Sequence, residues 1–356
     1  MDGQFISKQA SKQASKQASK QWLNNCTFVK TILMLLVIVY HSCVFWPGTW
    51  KQNIQIDPGN LVVLTNWLNS FHVFGFALVS GYLFFYLKHE IEKYNDYKAF
   101  ISNKIMRLIV PYCFIALVWV VPIEALFSNV TSADLIKRYV LCTSPSQLWF
   151  LWMLFWVFIM VWPLNNLLKN DMLAIGISVL SWGIGLVGER IVPNVFCIWT
   201  AFSYLSYFIL GMKLREKKDW FLYRIPSVVY LIIQLVLFAI WQIISAKSGV
   251  ISKILTLGMG YVVHIWGALM AFFVLQRLAT KVNWKENKVF MFLSKRSMAI
   301  YLFHQQVIYF TIIWLNGKVN PYVNAVVNFV VAMAVSILIS SVLMKFKWTR
   351  FLIGEK

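Results

Sequence analysis

The stretch TFVKTILMLLVIVYHSCVFW, residues 27–46, decides the fold class of this protein. It is almost wholly apolar, and its only basic side chains are Lys30 and His41. A helix needs about 20 predominantly apolar residues to cross a bilayer. The stretch lacks a small-x-small cleavage site, so we interpret it as a retained first membrane span rather than a signal peptide.

Similar apolar stretches recur along the whole chain. The sequence predicts an all-α polytopic membrane protein with about ten transmembrane helices. The predicted spans are residues 27–46, 65–87, 106–127, 148–168, 171–188, 195–212, 226–245, 254–276, 298–316 and 321–344.

The composition excludes a water-soluble protein. Hydrophobic residues make up 60% of the chain, charged residues 13%, and the mean hydropathy is +0.66. Soluble domains carry about 25% charged residues. The net charge of +20 lies in short loops between apolar stretches. We therefore expect it to set membrane orientation and to attract anionic lipid headgroups, and we expect no nucleic-acid partner.

The distribution of basic residues predicts the orientation. If the N-terminus is cytoplasmic and ten spans alternate, 26 of the 33 Lys and Arg residues fall on the cytoplasmic side. Cytoplasmic loops are the ones enriched in Lys and Arg. The sequence thus predicts that both termini are cytoplasmic, with Lys218 and Lys285 on that side and Lys51 and Cys142 on the outer side.

We divide the chain into three parts. Residues 1–22 contain the repeat SKQASKQASKQASKQ and are predicted to be a disordered or weakly helical cytoplasmic tail. Residues 23–348 form a single transmembrane domain, and residues 349–356 form a second cytoplasmic tail. The cysteines have no metal-like spacing, so we predict neither a metal site nor a structural disulfide; they are Cys26, Cys43, Cys113, Cys142 and Cys197.

Lys30 and His41 form the most informative pair of residues. Eleven helical steps bring two side chains within about 20° of the same helix face, with a rise of about 16 Å. A cation at the membrane surface would hold a phosphate, and an imidazole deeper in the membrane could deprotonate a hydroxyl. The alternative is that Lys30 only flanks the span and His41 only hydrogen-bonds a neighbouring helix.

Other ionisable side chains lie inside predicted spans, where they are costly and often functional. His72 lies in the outer part of the second span, and Glu124 lies near the outer end of the third. His264 and His304 lie in the eighth and ninth spans. The alternative for His304 is that it only pairs with a polar neighbour, and the alternative for His264 is structural packing. Glu124 could orient a histidine, line an outer vestibule, or occupy a partly solvated helix end.

Five stretches, in order, resemble the membrane acyltransferase 3 family. FVKTILMLLVIVYH resembles the first-helix signature of a basic residue, ten residues and a histidine, matched by Lys30 and His41. Further similar stretches are FHVFGFALVSGYLF with His72, Ser80 and Gly81, KIMRLIVPY with Arg107 and Pro111, LWFLWMLF from Leu148, and LSKRSMAIYLFH with Ser297, Tyr301 and His304. The chain departs from the family pattern at Thr27, where an acidic residue is usual, and after His72, where Met-Pro-Leu-Phe is usual.

The resemblance implies transfer of an acyl group, usually acetyl from acetyl-CoA, to a carbohydrate hydroxyl. It implies that His41 and His72 are catalytic and that Lys30 and Arg107 bind the donor. Ser80, Glu124, Tyr301 and His304 are further site candidates. The implied partners are acyl-CoA as substrate, a glycan or lipid-linked saccharide acceptor, and lipids of a bacterial cytoplasmic membrane. No permanently bound cofactor is expected.

A second class of function stays open at the level of the sequence. A transporter or flippase could use the same buried histidines as proton or substrate sites, without covalent chemistry. Two observations favour the enzyme. The two halves of the chain show no repeat, and the face shared by Lys30 and His41 suits a long thioester better than a small solute.

Overall fold

The computed structural model describes residues 2–48, 53–127, 130–218 and 220–355, and within these ranges the side chains other than those of residues 2–19 and residue 127. Lys51, which the sequence assigns to the outer side, lies outside the described residues. The described chain consists of helices joined by turns and loops and contains no strand. The α-helices are α1 Asp2–Cys43, α2 Leu61–Asn69, α3 His72–Phe85, α4 Tyr97–Lys104, α5 Val110–Ile115, α6 Val121–Phe127, α7 Ser132–Leu135, α8 Trp149–Leu164, α9 Asp171–Ile191, α10 Ile198–Glu216, α11 Ser227–Ser245, α12 Val250–Lys281, α13 Lys288–Lys295, α14 Ser297–Leu315, α15 Pro321–Leu343 and α16 Lys347–Leu352.

Ten helical segments of the described chain are long and apolar enough to cross a membrane, which confirms the predicted number. Because the number is even, both termini lie on one face of the bundle, which we call the terminal face. The spans, numbered in chain order, are Lys20–Cys43, Leu61–Glu90, Tyr97–Leu126, Ser146–Leu164, Asp171–Ile191, Val195–Glu216, Ser227–Ser245, Val250–Lys281, Ser297–Leu315 and Pro321–Leu343.

Helix α1 is longer than the sequence predicts. It begins at Asp2 and continues without a break into the first span, so the repeat SKQASKQASKQASKQ has a helical backbone. Ala, Lys and Gln are all good helix formers, and the repeat contains neither Gly nor Pro. Local propensity therefore allows the span to extend through a segment without an apolar face.

The spans differ in how much protein surrounds them. More than half of the apolar window is buried in spans 1 and 2, at 56% each, whereas only 17% is buried in spans 5 and 7. Helix α1 packs against α3, α12, α14 and α15 and is therefore central to the bundle. Helices α9 and α11 expose most of their apolar side chains, as expected for surfaces that face lipid.

Two glycines bring α3 and α10 into backbone contact. A Cβ atom added at Gly81 would lie 1.9 Å from the carbonyl oxygen of Phe208, and one added at Gly211 would lie 1.9 Å from that of Leu78. Small residues allow such close crossings between membrane helices. This contact fixes α3, which carries Ser80, against the centre of the bundle.

Span 3 contains two π-helical turns, Ile105–Ile109 and Ala116–Val120, and each ends two residues before a proline. Pro111 and Pro122 cannot donate a backbone hydrogen bond, and a proline ring clashes with the carbonyl four residues earlier. A wider turn relieves that clash, and π turns often mark functional sites. The first of these turns contains Arg107 and so sets the direction of its side chain.

Candidate active site

A cavity of about 490 Å³ runs through the interior of the bundle. Its wall is contributed by α1, α3, span 3, α8, the region from α13 to α14, and the segment that follows α16. This volume lies within the range of small-molecule sites, about 300–1,000 Å³. The cavity therefore has room for an extended ligand rather than a single ion.

One face of α1 forms the wall that connects the two ends of the cavity. Lys30, Met34, Val37 and His41 all line it, at intervals of three or four residues. This spacing keeps the four side chains on one helix face. The shared face of Lys30 and His41 predicted from their spacing is thus present, and both residues face the same cavity.

The end of the cavity near Lys30 is rich in cations. Arg107 lies there as predicted, and Lys104 and Lys295 add two cations that the sequence analysis did not identify. Lys104 is only 8% exposed, and its ammonium nitrogen lies 3.6 Å from the centre of the Phe158 ring. Cation–π attraction stabilises the ammonium group without neutralising it, so it remains available to an anion.

Several other cations of the terminal face are already paired with carboxylates. The Arg215 guanidinium donates to both carboxylate oxygens of Glu90, at 2.7 and 2.6 Å. Lys213 forms an ion pair with Glu216 at 2.6 Å. In the described part of the chain, no carboxylate lies within 4.0 Å of Lys30, Lys104 or Arg107. These three residues therefore carry positive charge that no ion pair within the described residues neutralises.

The other end of the cavity contains a pair of histidines. His41 Nδ1 lies 3.0 Å from Nε2 of His304 in α14, and the ring centroids are 4.9 Å apart. His304 is completely buried, whereas His41 is partly exposed to the cavity. His304 is therefore paired with a polar neighbour, and that neighbour is His41.

The hydrogen bonds determine which nitrogen atoms carry protons in the neutral pair. His304 Nδ1 lies 2.7 Å from the backbone carbonyl of Tyr301, and because a carbonyl only accepts, this nitrogen is the donor. Nε2 of His304 is then an acceptor, and Nδ1 of His41 must donate to it. We infer that Nε2 of His41 is left unprotonated, which is the state that a general base requires.

A buried amide network supports the histidine end. Gln147 and Gln306 form reciprocal amide hydrogen bonds of 2.7 and 3.0 Å. Gln147 also donates to the carbonyl of Leu302 at 3.0 Å, and the Tyr301 hydroxyl donates to the Gln147 carbonyl. Tyr301, predicted as a site residue, therefore fixes the turn before α8 to α14, and both Tyr301 and Gln147 line the cavity.

The remaining predicted residues lie in different surroundings. Ser80 lines the cavity. His72 is buried at 1% exposure beside Tyr40, with ring centroids 4.7 Å apart, and its Nδ1 donates to the Leu68 carbonyl at 2.6 Å. Nε2 of His72 is buried and has no hydrogen-bond partner among the described residues. His72 does not line the cavity, and the described partner of His41 is His304.

Glu124 and His264 are engaged away from the cavity. Glu124 binds Arg138 and the Tyr139 hydroxyl, so its carboxylate fixes a loop next to span 3 rather than orienting a histidine. His264 stacks on Phe74, with ring centroids 4.2 Å apart. This contact is the packing role that was considered for His264 as an alternative to function.

Three cavity residues that the sequence analysis did not identify differ in how strongly the sequence indicates them. Lys104 lies three residues before Arg107, and that spacing places two cations on one helix face. Gln147 and Lys295 have no local pattern that would single them out. Within the described residues, no group of three or more His, Cys, Asp or Glu side chains could hold a metal ion.

Comparison with known proteins gives one match. A family model described as an acyltransferase domain, of the type designated acyltransferase 3, matches residues 23–345. The match includes both histidines of the pair and all four cations that line the cavity. No curated protein and no solved structure matches the chain.

Proposed function

This chain belongs to the acyltransferase 3 family, and we propose that it transfers an acetyl group from acetyl-CoA to a hydroxyl of a cell-surface glycan or its lipid-linked precursor at a bacterial cytoplasmic membrane. That it is a multi-pass membrane acyltransferase follows from the family and from the ten apolar helices. The parts that we propose are the acetyl-CoA donor, the glycan acceptor and the location in a bacterial cytoplasmic membrane.

One observation supports the proposal most strongly, namely that a single cavity joins the cation end to His41. Acetyl-CoA has phosphates at one end and a thioester at the other. Lys30, Lys104 and Arg107 would bind the phosphates, because cations in a partly desolvated site attract phosphate strongly. The pantetheine arm would then follow α1, and the thioester would reach His41.

The transfer step uses the protonation pattern of the histidine pair. Nε2 of His41 takes the proton of the acceptor hydroxyl as the oxygen attacks the thioester carbonyl carbon. Collapse of the tetrahedral intermediate breaks the carbon–sulfur bond. The departing thiolate takes the proton from His41, so the products are the acetyl ester and the free CoA thiol.

His304 acts on this step through His41. Its Nε2 accepts the hydrogen bond from His41 Nδ1–H and stabilises the imidazolium that forms during transfer. His72, whose Nε2 is buried without a partner, remains our candidate for an acceptor contact beyond Tyr40. The acceptor would approach from the face opposite the terminal face, where a glycan is exposed.

The test is transfer of radiolabelled acetyl groups by the purified protein in lipid nanodiscs. We expect glycan-dependent release of the CoA thiol and labelled glycan with the wild type, and loss of both with His41→Ala. A panel of acyl-CoA donors and of polysaccharides would identify the substrates. Movement of glycan across the membrane without label transfer would instead favour the carrier, and failure of every donor would contradict the proposal.

A further inference from the structure

The segment that follows α16 lies in the mouth of the cavity. Ile353 is completely buried, and the next two residues, Gly354 and Glu355, line the cavity. The backbone N–H of Glu355 donates to the carbonyl of Arg350 at 2.9 Å, which folds the segment back onto α16. A carboxylate from the far end of the sequence therefore reaches the cation end.

Gly354 determines how closely this segment approaches span 3. Its φ is +75°, a backbone conformation that residues with side chains rarely adopt. A Cβ atom there would lie 2.9 Å from Cγ of Pro111 and 3.0 Å from the carbonyl oxygen of Arg107. Glycine at this position thus seats the segment against the π turn that carries Arg107.

Glu355 has electrostatic contact with the cations but no direct bond to them. Burial raises the carboxyl pKa of Glu355 above its usual value, and the charges of Arg107 and Lys30 offset part of this by lowering the pKa. No hydrogen bond joins Glu355 to either cation within the described residues. The carboxylate is therefore near enough to reduce the positive potential, yet free of the short bonds that would hold it in place.

We propose that Glu355 is a built-in competitor for the donor phosphates, which must displace its carboxylate from the cation end of the cavity when acyl-CoA binds. The inference rests on the proposed use of an acyl-CoA donor and concerns its affinity. The segment after α16 thus helps to set the acyl-CoA concentration at which the donor site becomes occupied.

Binding of CoA and acetyl-CoA to the full-length protein in nanodiscs, measured by titration calorimetry, tests this role. We expect Glu355→Gln to bind both roughly fivefold more tightly, because one like charge near the phosphates is removed. Acetyl-pantetheine, which lacks the phosphates, should bind the wild type and Glu355→Gln equally. Gly354→Ala should also tighten CoA binding, since its Cβ pushes the segment away from Arg107.

Glu286→Gln is the matched control, because it removes the same charge from an exposed loop on the terminal face. It should leave CoA affinity unchanged. Equal CoA affinity of the wild type and Glu355→Gln, with the wild type binding normally, would overturn the competitor role alone. Absence of CoA binding by all variants, the wild type included, would overturn both this role and the proposed donor.

Discussion

The two ends of the cavity are built on different principles. At the cation end, Lys30, Lys104, Arg107 and Lys295 come from separate turns or elements and share no acidic partner within 4.0 Å in the described chain. At the histidine end, His41 and His304 belong to a continuous series of hydrogen bonds that continues to the Tyr301 carbonyl. One end works through summed charge, and the other through fixed geometry.

This difference predicts two patterns of response to mutation. Charges that act on a common ligand add, so the loss of one cation should weaken binding by a moderate factor and leave the chemistry intact. A hydrogen-bonded relay fails when one member is removed, because a buried donor or acceptor loses its partner. The experiments below test this contrast in order of decreasing effect.

The largest effect should follow His41→Ala. Removal of the general base should lower kcat by roughly 10²–10⁴-fold, while the KM for acetyl-CoA changes little because the cation end is intact. The measurement is steady-state acetyl transfer by purified, folded protein. His264→Gln is the control, since that histidine stacks on Phe74 away from the cavity. Normal turnover by His41→Ala would return this residue to a packing role.

Removing the partner of His41 should have a smaller effect. His304→Leu leaves His41 Nδ1–H without its acceptor. An unsatisfied buried donor costs about 1–3 kcal/mol, so we expect kcat to fall by about 5- to 150-fold. His304→Gln can offer an amide oxygen at the same place and should recover part of the loss. If Leu and Gln give the same rate and the same pH profile, His304 acts only by filling space.

Single changes at the cation end should act on affinity. Lys30→Ala should raise the KM for acetyl-CoA by roughly tenfold, and Lys30→Arg by less, because a cation is retained. Arg107→Ala should resemble Lys30→Ala. Added salt should raise the wild-type KM further, since ions screen attraction to the phosphates. A fall in kcat at constant KM in Lys30→Ala would contradict the division of roles between the two ends.

The smallest effect on activity is expected from cysteine substitutions whose only purpose is to determine the orientation of the protein in the membrane. In a variant without native cysteines, Lys285→Cys and Lys247→Cys should leave transfer unchanged. An impermeant thiol reagent added to intact cells should label position 247 and not position 285, because 26 of 33 basic residues then lie in the cytoplasm. Labelling of position 285 from outside would place the cation end on the wrong side for cytoplasmic acyl-CoA.

Most of the fold could be predicted from local sequence. Apolar length gave all ten spans, because each span must satisfy its backbone within itself. The sequence analysis did not predict the breaks inside spans. Residues 65–87 look like one continuous helix, yet the structure ends α2 at Asn69 and starts α3 at His72. The repeat, predicted to be disordered or weakly helical, is part of α1 from Asp2, because it has the propensity but not the hydrophobicity of a span.

The site was predictable where it lies on a single helix. The spacing of Lys30 and His41 alone placed both on one face, and both line the cavity. The partners that come from distant parts of the chain were not predictable by periodicity. His304 is 263 residues from His41, and Glu355 reaches Arg107 from the opposite end of the sequence. Such contacts depend on how spans pack, which no single stretch encodes.

The cavity also bears on where the membrane voltage falls across the protein. If water fills the cavity from the terminal face to His41, the potential of that face would extend to the histidine pair, and the voltage would fall mainly across the protein beyond it. A full membrane potential is worth about 2.3 kcal/mol per elementary charge at 100 mV. The amides of Gln147 and Gln306 exchange hydrogen bonds with each other at the histidine end of the cavity. Amide side chains are not ionisable, so this pair adds no proton-carrying group at that end.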